Sequence, residues 1–155
     1  MLISYPSEQF PSLPEISVVI PQSWEFVRVE GSLMGAVSKM KEGFHPNVVV
    51  GHSRLVSTHT QEEIAEQIKS YARTLPQVKI GKDLRLLSQD KEWVIVSFSY
   101  VHESVGPIGQ VIAAALFENH GVYDLFRITG SATPEQTEAQ EQIQAIIQSV
   151  NVTVS

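Results

Sequence analysis

Near the C-terminus, Ala139, Ile143, Ile146, Ile147 and Val150 recur at helical spacing, and Glu and Gln fill the opposite face. A helix with one apolar stripe must bury that stripe against another apolar surface. Its start is marked too. Thr133 suits the N-cap, Pro134 suits the first helical position, and Gln136 completes a capping box. The pattern predicts a helix that begins at Thr133 and runs to Val150. The surface that receives it must come from the chain upstream.

That surface reads as a sheet. Residues 84–87, 93–101, 110–117 and 122–129 are strand-like, and turn signals separate them: Gln89-Asp90, residues 104–107 and Asn119-His120-Gly121. Short links favour a sequential antiparallel meander. Val94, Val96, Phe98 and Tyr100 share one face, while Trp93 and Ile95 lie on the other, so this strand is expected to be covered on both sides. Residues 111–117 are apolar throughout, which predicts a central strand.

The first half is less regular. Pro6, Pro11 and Pro14 stand among polar residues in 1–14, and proline at that density resists regular structure, so an extended arm is expected there. Residues 16–20, 24–30 and 48–50 read as short strands, and Gly31 and Gly35 as breaks between the second and third. Thr60-Gln61-Glu62-Glu63 fits a capping box, followed by Ile64, Ile68, Tyr71 and Leu75 on one helical face; Leu75-Pro76 should end that helix. The whole reads as an α+β chain: an arm over 1–14 and a single domain over 15–155.

Composition removes several functional classes. The 155 residues suit one domain. There is no cysteine, so disulfides, thiol catalysis, thiolate metal sites and a lipid-modified cysteine are excluded for this chain. The net charge is −6, and the eleven basic residues are scattered, Lys39 and Lys41 forming the densest pair. Nucleic acid and anionic membrane draw their affinity from clustered Lys and Arg, so neither is an expected partner. No stretch approaches the roughly 18 apolar residues of a membrane helix, and 1–14 does not read as a signal peptide. The expected location is cytoplasmic. An exported chain whose signal peptide had been removed would read the same way.

Candidate chemistry is sparse. His45, His52, His59, His102 and His120 form no HxH or HExxH pattern. His52 and His59 could meet across their loop near Glu62 and Glu63; polar loop residues beside a helix start are the simpler reading. His102-Glu103-Ser104 invites a triad, but sequence neighbours on a turn do not converge as a triad must, and no GxSxG surrounds any serine. Asp83, Asp90 and Asp124 all fall at predicted turns or strand ends. No glycine pattern cradles phosphate. Neither a catalytic residue, a cofactor nor a metal site is expected. Trp24 and Trp93 lie in alternating strands and are expected in the core. Phe10 and Phe44 lie in irregular segments near prolines, where an apolar side chain can serve a partner or pin a loop. With His102 and Glu103 they make the candidate interaction surface.

The motifs Ile20-Pro21-Gln22-Ser23-Trp24, Pro46-Asn47-Val48-Val49-Val50 and Phe126-Arg127-Ile128-Thr129-Gly130 before the last helix resemble the LpqN-type proteins of actinobacteria, and more broadly the PsbP-like fold. The resemblance spans most of 15–150. It implies an α/β/α sandwich, an antiparallel sheet with helices on its faces, and action by binding other proteins; it carries over no catalytic residues. The family's lipoproteins need a lipobox cysteine after a signal peptide, and neither is read in this sequence, which puts the envelope location in question but not the fold. A non-enzymatic protein-interaction or accessory domain is the leading expectation. A small-molecule carrier or an enzyme with a dispersed cleft site, built for example from His102 or His120 beside Glu103 or Glu118, is the alternative. A homodimer through an edge strand is the third.

Overall fold

The computed structural model describes all 155 residues. In chain order its elements are β1 (Glu15–Ser17), β2 (Glu25–Val27), β3 (Met34–Val37), β4 (Asn47–Leu55), α1 (Gln61–Ala72), β5 (Lys79–Ile80), β6 (Leu84–Ser88), β7 (Lys91–His102), β8 (Gly106–Asn119), β9 (Val122–Ala132), α2 (Thr137–Gln148) and β10 (Asn151–Thr153).

The meander β6 to β9 forms where its turn chemistry predicts. Gln89 and Asp90 (φ 52° and 60°) link Ser88 to Lys91, and His120 and Gly121 (φ 49° and 94°) link Asn119 to Val122. Two successive positive φ values give the two-residue turn whose twist matches paired strands. The main sheet runs β2-β3-β4-β9-β8-β7-β5, with β6 also paired to β7, and every pairing is antiparallel. Strand β8 is interior, as its apolar run implies.

Helices cover both faces. Ile64, Ala65, Ile68 and Ala72 of α1 pack on Val94, Val96, Phe98, Ile112 and Leu116. Ala139, Ile143, Ile146 and Ile147 of α2, with Val150, pack on Trp93, Ala113, Ala115, Phe126 and Ile128. The fold is the expected α/β/α sandwich. Trp93 and Trp24 are both core, at 1% and 4% exposure. Tyr71, expected on the buried face of α1, is half exposed and meets Phe98 only edge-on. The Thr60 capping box is complete: Glu63 N donates to Thr60 Oγ1 at 3.1 Å, and Thr60 N to Glu63 Oε1 at 3.0 Å.

Several expectations are corrected. The last helix starts at Thr137, not just after Thr133. Strand β9 runs on to Ala132, and residues 133–136 make a turn in which Gln136 Oε1 accepts from Thr133 N (2.9 Å). Only half of the expected box therefore exists, as a turn bond ahead of the helix. The Gln136 amide also donates to Phe44 O (2.8 Å), which ties the turn to the loop before β4. The first helix ends at Ala72, three residues before Leu75. The first two strands are shorter than expected and β4 is longer. Strands β3, β5 and β10 were not expected. Gly35 does not break the chain but lies inside β3, where a Cβ would come within 3.2–3.3 Å of Val27 and Val48 O.

Gly130 has the tightest position. A Cβ there would fall inside the van der Waals envelope of Ile143 Cγ2. The glycine lets α2 lie close over β9. Gly130→Ala should therefore cost about 1–3 kcal/mol of stability through overpacking, read from urea unfolding; no change would show that α2 can shift outward freely.

Candidate functional site

Because α2 rides on β9, the same sheet face beside it is left open. The floor there is built from small or short side chains: Ser97 and Ser99 of β7, Gly109 of β8 and Gly130 of β9, with Ile95 and Val111. None is bulky enough to fill the space. The result is a groove of about 630 Å³. One wall is α2, which offers Gln140, Gln144 and Gln148 at four-residue spacing above Ile143 and Ile147. The far wall holds Leu84, Leu86, Lys79 and Arg85. Its lining includes no carboxylate or histidine, and the Arg85 guanidinium turns to the other face, where it donates to Gln61 of α1 at 3.1 Å.

A polar cluster lies on that face at the ends of β4 and β9. Asp124 is fully buried. It is in phase with the core residues Phe126 and Ile128 on β9. Arg54 grips it with two parallel bonds, Nε to Oδ1 at 2.8 Å and Nη2 to Oδ2 at 3.0 Å. His52 Nε2 lies 2.7 Å from Oδ1, and Asn119 Nδ2 donates to Oδ2 at 2.8 Å. Burial pushes the Asp124 carboxyl up, but these hydrogen bonds and the Arg54 charge outweigh it and hold the carboxyl below its usual range. The bonds to Asp124 raise Arg54 in turn.

The spare donors of this cluster hold the N-terminal arm. Arg54 Nη1 donates to Pro11 O (2.6 Å), and Asn119 Nδ2 to Ser12 O (2.9 Å). Pro11 and Pro14 are buried, while Met1, Leu2, Ile3, Tyr5 and Phe10 stay exposed. Sequence reasoning placed Asp124 at a strand end and missed its role. The available signal was its phase: an acid two and four residues before Phe126 and Ile128 must face the core.

The other candidates have separate places. Phe10 is 45% exposed on the arm, in a turn closed by Ser7 N to Phe10 O (2.8 Å). Phe44 is half buried beside the start of α2. His102 Nδ1 accepts from Ser104 N (3.0 Å) and Val105 N (3.3 Å), so the imidazole closes its own turn; Glu103 is exposed there. His120 Nε2 lies 2.6 Å from Ser155 O. His52 and His59 take different partners: His52 meets Asp124, and His59 faces Glu63 at 3.6 Å. His59 and Glu118 do share a smaller cavity, about 270 Å³, with Gln61, Glu92 and Tyr123. No three potential metal ligands converge anywhere, and no helix is long and apolar enough to cross a membrane.

No protein-family model matches the chain, and no curated protein matches it by sequence. Solved structures do. LpqN of Mycobacterium tuberculosis, involved in cell envelope biogenesis, superposes with a TM-score of 0.79 at 13% identity, over 92% of this chain and 86% of that one. The cyanobacterial PsbP (CyanoP) of Synechocystis sp. PCC 6803 gives 0.64 at 12% identity, over 88% and 86%. At such identity the likeness speaks for the fold alone. The helix-covered antiparallel sheet of this protein is the LpqN/PsbP-like fold.

Proposed function

We propose that this protein is a non-enzymatic binding domain, and that the groove beside α2 receives a segment of a partner protein. The observation that carries this is the groove's lining. It joins apolar walls to the amides of Gln144 and Gln148, and an amide can donate to and accept from the main chain of an extended peptide; the Gln140 amide already donates to Thr133 O and Pro134 O. It offers a ligand contact and hydrogen bonds rather than a proton donor paired with a base. Phe10 and Phe44, with His102 and Glu103 at the β7–β8 turn, are further contact candidates outside the groove.

The test is capture of partners from the native host by the wild-type chain and by Ser97→Trp, which fills the groove floor. A protein recovered by the wild type and reduced by an order of magnitude or more in Ser97→Trp is the expected result. Equal recovery by both, or a co-purifying metabolite with no protein, would overturn the reading.

A carrier or a dispersed catalytic site is the second reading. The cavity that brings His59, Glu118 and Tyr123 together supports it, and retention of a small molecule there would establish it. Phe26, 70% exposed on edge strand β2, supports self-association, which a doubled solution mass would establish. The cysteine-free sequence fits a cytoplasmic place of action, with export as the alternative that cell fractionation would reveal.

A further inference from the structure

The sheet face opposite α2 is only half covered. Helix α1 lies on β7 and β8. Across β9, β4 and β3, the same face carries Arg127, Thr129, Val49, Gly51, Ser53 and Val37. Their positions follow from alternation, because Ile128, Val48, Val50 and Ala36 point the other way into the core beneath α2. All six are partly exposed and none is buried.

Arg127 is the one charged side chain among them. Its guanidinium reaches across to β4 and lies over Gly51, where a Cβ would stand 3.5 Å from Nη2. Nη1 donates to Ser53 Oγ at 2.9 Å. The ion pairs of this protein engage other residues, and no carboxylate lies within 4.0 Å of Arg127. Burial alone holds its pKa below the ordinary arginine value. A partly desolvated cation without a counter-charge is costly unless something pairs with it. In a chain of net charge −6, this cation has no carboxylate of its own; Glu25, opposite Val37 at the β2 edge of the same face, is taken by Lys39 at 2.9 Å.

We propose that this open half-face is a docking surface for a protein segment that presents one carboxylate flanked by apolar side chains, with the carboxylate pairing with Arg127. The charge complementarity is specific. A single guanidinium fork matches a single carboxylate with two parallel bonds. Val49, two residues along β4 from Gly51, gives the flanking apolar contact. Anionic membranes and nucleic acids are bound by many cations together, and on this face only Arg127 and Lys39 are cationic, Lys39 being paired with Glu25. A central arginine ringed by small and apolar side chains is also the composition of an interface hot spot.

The test is an NMR titration of the folded protein with acetyl-Val-Glu-Val-amide, its Gln counterpart and inorganic phosphate. The expected result is that the Glu peptide shifts the amides of Gly51, Ser53, Arg127 and Thr129, and binds roughly tenfold tighter than the Gln peptide. Arg127→Gln should abolish that preference, and Arg127→Lys, which keeps the charge but not the fork, should retain only part of it. Equal binding of the Glu and Gln peptides, or no shift on this face up to the peptides' solubility, would overturn the proposal. So would phosphate shifting the same amides at lower concentration than the Glu peptide. The groove beside α2 lies on the other face, so either site can fail alone.

Discussion

Trp93→Ala should lower the unfolding free energy by about 3–5 kcal/mol. Trp93 sits at 1% exposure on β7, under α2, and its ring meets Phe117 edge-on at 5.9 Å. Phe117 in turn packs edge-on against Phe126 at 5.9 Å, so the indole anchors a row of three rings across β7, β8 and β9. Truncation removes its burial and leaves a cavity that a closely packed core fills only in part. For a chain of this length the melting temperature should fall by roughly 10 °C. Trp24 is the other of the two tryptophans, so its fluorescence can follow urea unfolding of the variant. A midpoint matching the wild type would mean that the ring row contributes nothing to stability.

Asp124→Ala should cost about 3 kcal/mol, toward the lower end for breaking a buried ion pair, because Arg54 is 24% exposed and can recover water. The loss has a local signature as well. Arg54 and Asn119 lose the acceptor that orients them, so the arm they hold by Pro11 O and Ser12 O should become protease-sensitive while the rest stays folded. Acid should imitate the substitution. The carboxyl of Asp124 sits below its ordinary value of 3.8 in the folded chain. Its contribution is therefore fully present above that value and fades as the pH falls from it through the folded pKa. The stability gap between wild type and Asp124→Ala should be constant near neutrality and close below about pH 4. A gap that stays the same down to pH 2 would show that the cluster does not depend on an ionised carboxylate.

What the sequence revealed was local. The Gln89-Asp90 and Asn119-His120-Gly121 turns and the Thr60 box are each specified by adjacent residues, and each is found in place. The alternation of Trp93 and Ile95 against Val94, Val96 and Phe98 correctly announced that the strand is covered on both sides. Pairings between distant segments were not legible. Strand β4 bonds to β9 across the whole of α1 and β5 to β8, and no local pattern records it. Strands β3, β5 and β10 hold two to four residues each. They exist because a neighbour supplies hydrogen bonds, not because their own side chains demand them. The groove was hidden for a similar reason. Ser97, Ser99, Gly109 and Gly130 become a groove floor only once α2 has been placed beside them.

The pairing of β1 with β10 gives the chain a timetable. Glu15 lies opposite Thr153 and Ser17 opposite Asn151. During synthesis the segment at residue 15 therefore has no strand partner until residues 151–153 have been made. The block β2-β3-β4 also waits, until β9 emerges. Between those two events the Asp124 cluster can already hold the N-terminal segment against the growing domain through Pro11 O and Ser12 O. A ribosome-bound chain stalled after β9 should thus have its arm fastened at Pro11 and Ser12 while β1 is still loose, and β10 would then close the β1 end of the domain.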